Sequence, residues 1–307
     1  MSSPAVEPSD GERGLAAYDV ADLAPLILTA WDDFLEVASA SQLHLPTRVP
    51  GWTAHDLCVH LGSWPGSRSL VRVIEEARAR DPDGTFDQEG HSAAVIEANA
   101  AATDREVLAG IERARAETAA FLDSPDVAEL GRRPVRSAVG PLPLLTAVAA
   151  VTYELAVHAL DLEPAGAPCP PAGLLEAGVA SLVDVTGALA VRCGIDTTAG
   201  CVTPDGGWAF ASRGPDWLTM RLPDARPGWP VVEADAAVIL DASAGRRQVP
   251  RLLARREMRL HHVAGLLRLA PIVEQVPGLP GGPALSGAAR HLRGIGHWAR
   301  LLPGLPH

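Results

Sequence analysis

Glu154 and His158 stand four residues apart in the stretch Val151-Thr152-Tyr153-Glu154-Leu155-Ala156-Val157-His158-Ala159-Leu160-Asp161-Leu162. On an α-helix that spacing puts both side chains on one face, about one turn apart. Asp161 follows His158 by three and falls on nearly the same stripe. The surrounding residues are mostly Ala, Val and Leu, so the helix reads as buried, where an unpaired charge is costly. A divalent metal satisfies a carboxylate and an imidazole together. A Glu–His hydrogen bond at a bundle surface is the competing use of the pair, and a third ligand elsewhere in the chain decides between them.

The third ligand must come from another helix that faces this one. Thr53 has the chemistry of an N-cap, with Asp56 three residues on and close to the positive helix terminus. The helix they open carries Leu57, His60, Leu61 and Trp64 on one stripe, so His60 points inward. His55 falls on a different face and is expected at the surface. Cys58 reads as a small core residue, and Trp64 likewise as core. Trp52 suits either a pocket mouth or the core.

Three more helical segments accompany this one. The first runs from about Asp22 to Ser39, with Pro25 tolerated in its first turn. Another covers about Ser92 to Leu122, broken near Thr103, where Thr103-Asp104-Arg105-Glu106 has the form of a capping box. The last is the opening stretch itself, about Leu144 to Leu162, stopped by Pro164 and Gly166. Together they predict a four-helix bundle, an architecture that builds metal sites from side chains on facing helices. The stretch Asp123 to Pro143, rich in Pro, Gly and Arg, reads as a loop, and its part Arg132 to Gly140 is unusually basic.

Beyond the prolines of Pro164 to Pro171 the pattern changes. A helix from Leu174 to Arg192 leads into short segments at 200–203, 208–211, 217–222 and 231–234, with Asp205-Gly206-Gly207 as a hairpin turn. Residues 235–244, 249–255 and 264–276 read as helical and 258–262 as a strand. The whole is α+β: a tail at 1–18, a bundle at 19–166, a small α+β domain at 171–277, then a connector and helix at 278–307.

The chain has 307 residues, 47% hydrophobic and 21% charged, which describes a globular protein with room for two cores. A net charge of −11 argues against nucleic acid as a partner. Every basic residue other than His is Arg; the absence of Lys excludes Schiff-base chemistry. No uninterrupted apolar run is long enough to span a membrane. The polar N-terminus lacks a signal-peptide pattern. Cys58, Cys169, Cys193 and Cys201 show no disulfide framework, so a reduced, cytoplasmic protein is expected, as monomer or homodimer.

Two of these segments carry a resemblance. Arg48-Val49-Pro50-Gly51-Trp52-Thr53-Ala54-His55-Asp56-Leu57-Cys58-Val59-His60-Leu61 resembles the first signature of the DinB-like, mycothiol-dependent maleylpyruvate isomerase family, and Glu154 to Leu162 resembles the second. The resemblance implies a DinB-type bundle holding one divalent metal, usually zinc, through His60, Glu154 and His158. It also implies a sterol-carrier-like second domain, and it covers about Asp19 to Pro277. Three ligands leave an open position for a low-molecular-weight thiol such as mycothiol, which the metal would ionise for attack on a small electrophilic substrate. Trp52 and Asp161 complete the implied cofactor site, Asp161 either orienting His158 or making a structural hydrogen bond. An Arg from the second domain is expected to meet an anionic substrate. Arg246 is the best match, with Arg247, Arg255 and Arg256 competing. Two other functions share the fold: a ligand-binding or carrier protein, and a metal-dependent hydrolase using zinc hydroxide.

Overall fold

A computed structural model describes residues 7–79, 86–222 and 228–273. Asp19 caps α1 (Val20–Ser39) by accepting from Ala21 N. A capping box of Thr53 and Asp56 opens α2 (Ala54–Leu61). Then come α3 (Leu70–Ala79) and α4 (Gln88–Ala98), and a second capping box, Thr103 with Glu106, opens α5 (Asp104–Leu122). After α6 (Asp126–Leu130) the strands β1 (Pro134–Val135) and β2 (Leu142–Pro143) pair antiparallel and deliver the chain into α7 (Leu144–Asp161). Helices α1, α5 and α7 pack side by side, and the short α2 lies on α5. The sequence reading misses α3 and treats 123–143 as loop. Two-residue strands and a five-residue helix are too short to show a hydrophobic period.

Next in the chain, α8 (Ala172–Arg192) packs along α7 on one side and against a sheet on the other. That sheet contains β3 (Thr197–Thr203), β4 (Gly206–Arg213), β5 (Asp216–Leu222), β6 (Val231–Ala234) and β7 (Met258–His261), in the order β5-β4-β3-β6-β7. All neighbours are antiparallel except β3 and β6. Helices α9 (Ala236–Ser243) and α10 (Val249–Ala254) connect β6 to β7. The expected α+β architecture is therefore present, helical first and sheet-containing after. The region expected as helical over 264–276 is helical in its described part, as three consecutive short pieces, Val263–Leu266 and Ala270–Val273 in α-helix and Leu267–Leu269 in 3-10 helix; 274–276 lie outside the described residues. The connector and final helix expected at 278–307 lie outside the described residues.

One apolar core runs through both halves, from Ile27, Phe34 and Leu155 across Leu174 to Phe210 and Leu240. Gly178 makes this continuity possible: a Cβ there would sit 2.6 Å from Ala156 Cβ, so only glycine lets α8 lie this close to α7. By length and composition α7 and α8 are apolar enough to cross a membrane, yet 67% and 72% of those windows are buried inside the protein.

The N-terminal tail is shorter than expected. Gly14, Leu15 and Ala16 are buried in a 3-10 turn. The buried Asp184 carboxylate on α8 holds them, accepting from Leu15 N at 3.0 Å, Trp217 Nε1 at 2.9 Å and Thr219 Oγ1 at 2.6 Å. Arg13 pairs with Asp216 on β5 as well. A polar, Gly-containing segment is tied down by partners about 170 to 200 residues away, which no local pattern reveals.

Candidate metal centre

His60, at the end of α2, meets Glu154 and His158 of α7: one ligand atom from each lies within 4.8 Å of the others. The i,i+4 spacing of Glu154 and His158 gives a Glu154 Oε2–His158 Nε2 separation of 3.4 Å. Thus the same α7 face carries both alternatives of the sequence reading, and His60 supplies the third group. Two nitrogens and one carboxylate oxygen form a donor set that zinc and similar divalent ions accept, with small inward shifts to reach ligand distances of about 2.0–2.2 Å. The three residues therefore fit a metal.

Each histidine has one nitrogen held by a partner, which leaves its other nitrogen available. His158 Nδ1 lies 3.0 Å from Asp161 Oδ2, and Asp161 is completely buried. The carboxylate can only accept, so Nδ1 carries the hydrogen and Nε2 faces Glu154. His60 Nδ1 is 3.0 Å from Ser92 Oγ on α4. Trp52 packs on both imidazoles, with ring centroids 5.3 Å from His60 and 6.4 Å from His158.

These environments separate the two histidines. Burial, then the charge of His158, pushes His60 down to about 4, so it is neutral and ready to donate a lone pair. Burial acts downward on His158 too, but hydrogen bonds to Asp161 and Glu154 outweigh it and raise the group to about 9. Asp161 itself is held at about 2: burial opposes its ionisation, and the hydrogen bonds from His158 and Arg246 prevail. Partial desolvation at the cavity wall likewise raises Glu154, but the His158 hydrogen bond and both imidazoles win and lower it. A metal loaded here takes the place of the His158 proton.

Arg246 does not have the position expected of a substrate contact. Its Nε and Nη2 hold Asp161 Oδ1 and Oδ2 at 2.8 Å and 2.9 Å, so the guanidinium stands behind His158. Arg48, from the loop before α2, adds a 2.5 Å bond to Asp241 of α9 and lies 3.8 Å from Asp161. Arg247 and Arg255 pair with Glu257. The triad opens on a cavity of about 1210 Å³, and Glu154, 49% exposed at its side chain, is reached from it. Among the described residues, the guanidiniums that line this cavity are Arg68 and Arg136, from the segment before α3 and the Arg-rich loop. Arg68 is bidentate on Glu76 and covers Phe86 at 4.2 Å.

Other expectations divide. Trp64 is buried core, and its Nε1 donates to Val59 O at 2.8 Å. Cys58 is buried and its thiol is pushed up to about 12 by that burial, so it is no nucleophile. His55 is only partly exposed, with Nε2 2.9 Å from Ala102 O, because the turn before α5 folds over it. Sequence reasoning missed Ser92, Arg68 and Arg136 as site residues. The basic composition of 132–140 was the one available signal.

Residues 24–163 match the family model described as the mycothiol maleylpyruvate isomerase N-terminal domain. Two solved structures are similar to the chain: a mycothiol-dependent maleylpyruvate isomerase and a histidine-to-alanine mutant of that enzyme. They are 16% and 17% identical to it, and each match covers 76% of this chain and 92% of its own, with a TM-score of 0.48. No curated protein matches the chain.

Proposed function

We propose, from the match of residues 24–163 to the model described as the mycothiol maleylpyruvate isomerase N-terminal domain, that this chain is a metal-dependent enzyme that uses a low-molecular-weight thiol of the mycothiol type. It adds that thiol to a small electrophile, as an isomerase or an S-transferase. The observation that carries this reading is the convergence of His60, Glu154 and His158 to within 4.8 Å at the edge of a cavity of about 1210 Å³. His60, Glu154 and His158 hold the metal, zinc being the ion whose ligand preferences this set meets. When bound, such a metal lowers the pKa of a thiol that reaches it and so supplies a nucleophile at neutral pH.

The chain's own residues do the rest. Asp161 keeps the hydrogen of His158 on Nδ1 and, with Arg246 behind it, fixes the plane of the ring. Trp52 covers both imidazoles and limits water on that side. The apolar walls, Val148, Val151, Leu182 and Val185 among them, surround the reactants with a medium in which charge interactions are strong. The test is metal analysis of gently purified protein, followed by calorimetric titration with a low-molecular-weight thiol. About one zinc per chain and thiol binding that disappears on chelation support the reading. Zinc without thiol binding moves the assignment to hydrolysis. No metal after reconstitution overturns it in favour of a ligand carrier.

A further inference from the structure

Ser92 is buried on α4 and makes two contacts through one hydroxyl. Its Oγ lies 2.7 Å from Gln88 O and 3.0 Å from His60 Nδ1. A serine hydroxyl has one hydrogen, and a backbone carbonyl can only accept. The shorter contact therefore takes the Ser92 hydrogen, and the Ser92 oxygen has only lone pairs left for His60. The His60 Nδ1 must be the donor in that second contact. That leaves the lone pair of the neutral ring on Nε2, the nitrogen available to serve as the His60 ligand atom beside Glu154 and His158.

We propose that Ser92 is the positioning residue of the metal centre, selecting the His60 tautomer that carries its hydrogen on Nδ1 and leaves the Nε2 lone pair for the metal. This inference rests on the metal reading above and adds to it an element, α4, that supplies no ligand. Ser92 does for His60 what Asp161 does for His158, with a neutral oxygen in place of a carboxylate. A ligand histidine whose outer nitrogen loses its acceptor is free to rotate and to exchange tautomers, and the usual cost is about ten- to hundred-fold in metal affinity.

The experiment uses the full chain, as wild type, Ser92→Ala and Ser92→Thr. Zinc affinity is measured by competition with a chromogenic chelator, and the visible spectrum of the cobalt-loaded protein is recorded. In the metal-free proteins, nitrogen-15 spectra of the histidine side chains report the His60 tautomer. Ser92→Ala is expected to lose about ten- to hundred-fold in zinc affinity, to change the cobalt spectrum and to give a mixture of His60 tautomers. Ser92→Thr, which keeps the hydroxyl, is expected to recover all three. Ser92→Ala also leaves the buried His60 Nδ1–H without an acceptor, so its thermal midpoint should fall; a purely structural serine would lower the midpoint too but leave zinc affinity and the His60 tautomer untouched. Wild-type affinity and a single tautomer in Ser92→Ala overturn the proposal, as does equal loss in Ala and Thr. The tautomer is read without metal, so a wild type that binds no zinc yet shows the Nδ1–H form separates failure of the metal reading from failure of this one.

Discussion

Arg246 holds both carboxylate oxygens of Asp161, at 2.8 Å and 2.9 Å, while one of those oxygens also meets His158. The pair is bidentate, and the Asp161 side chain has no solvent exposure. Removing the carboxylate leaves Arg246 and the His158 Nδ1–H without their acceptor. Asp161→Ala should therefore destabilise the chain by about 3–5 kcal/mol, seen as a lower urea midpoint. Arg246→Gln should reduce zinc affinity and stability more than it raises KM. A variant with a raised KM and intact metal binding would return Arg246 to the substrate-contact role that the sequence suggests.

The ligand set predicts a common phenotype for three substitutions. His60→Ala, Glu154→Gln and His158→Ala should each lose stoichiometric zinc and turnover while keeping the helical circular dichroism of the parent. Full zinc content in any one of them removes that residue from the centre.

The two histidines give the metal-free protein a stability maximum in pH. His158, raised to about 9 in the folded chain, contributes fully below the unfolded value of about 6.5 and loses that contribution as pH rises through 9. His60, lowered to about 4, works the other way: stability falls as pH drops from about 6.5 towards 4. Asp161, held at about 2, adds stability that is present above about 3.9 and disappears only in stronger acid. Urea unfolding of the metal-free protein should thus peak near pH ~6.5 and fall on both sides. A flat profile over this range would contradict these environments. Zinc affinity should rise from neutral pH towards 9, because His158 must release its proton to bind.

Gly178 offers a test of how packing reaches the site. A methyl group there would meet Ala156 Cβ at 2.6 Å, and Ala156 lies between Glu154 and His158 on α7. Gly178→Ala gains helix propensity, about 1 kcal/mol, yet it forces α7 and α8 apart. A net destabilisation of about 1–3 kcal/mol is expected, together with weaker zinc binding. Increased stability with unchanged zinc affinity would mean that the helices separate without cost to the centre.

The candidate metal centre is legible in the sequence where chemistry depends on local geometry. Four residues of separation between Glu154 and His158 fix their common face on any helix, and the capping residues Thr53 and Asp56 fix where the helix carrying His60 begins. Asp161, three residues on, follows by the same periodicity. Roles that depend on docking were not legible. Arg246 reaches Asp161 only because the segment after α9 folds back on the end of α7, and the spacing of arginines cannot tell that contact from a substrate contact. Ser92 is one serine in a helix of low polarity contrast, and its rotation towards His60 is set by how α4 lies on α2. Leu15 looked like part of a frayed tail because its partner, Asp184, is 169 residues further on.

Asp161 ends the helix that ends the recognised bundle, but its counter-ion comes from 85 residues further along the chain. Arg48 repeats the arrangement, tying the first half of the chain to Asp241, 193 residues later. The bundle is consequently not an interchangeable part. Cut after residue 163, it keeps His60, Glu154 and His158 and strands a buried carboxylate. Any recombination that gives it a different second half has to bring along one cation for Asp161 and one anion for Arg48, whatever else that half is selected to recognise.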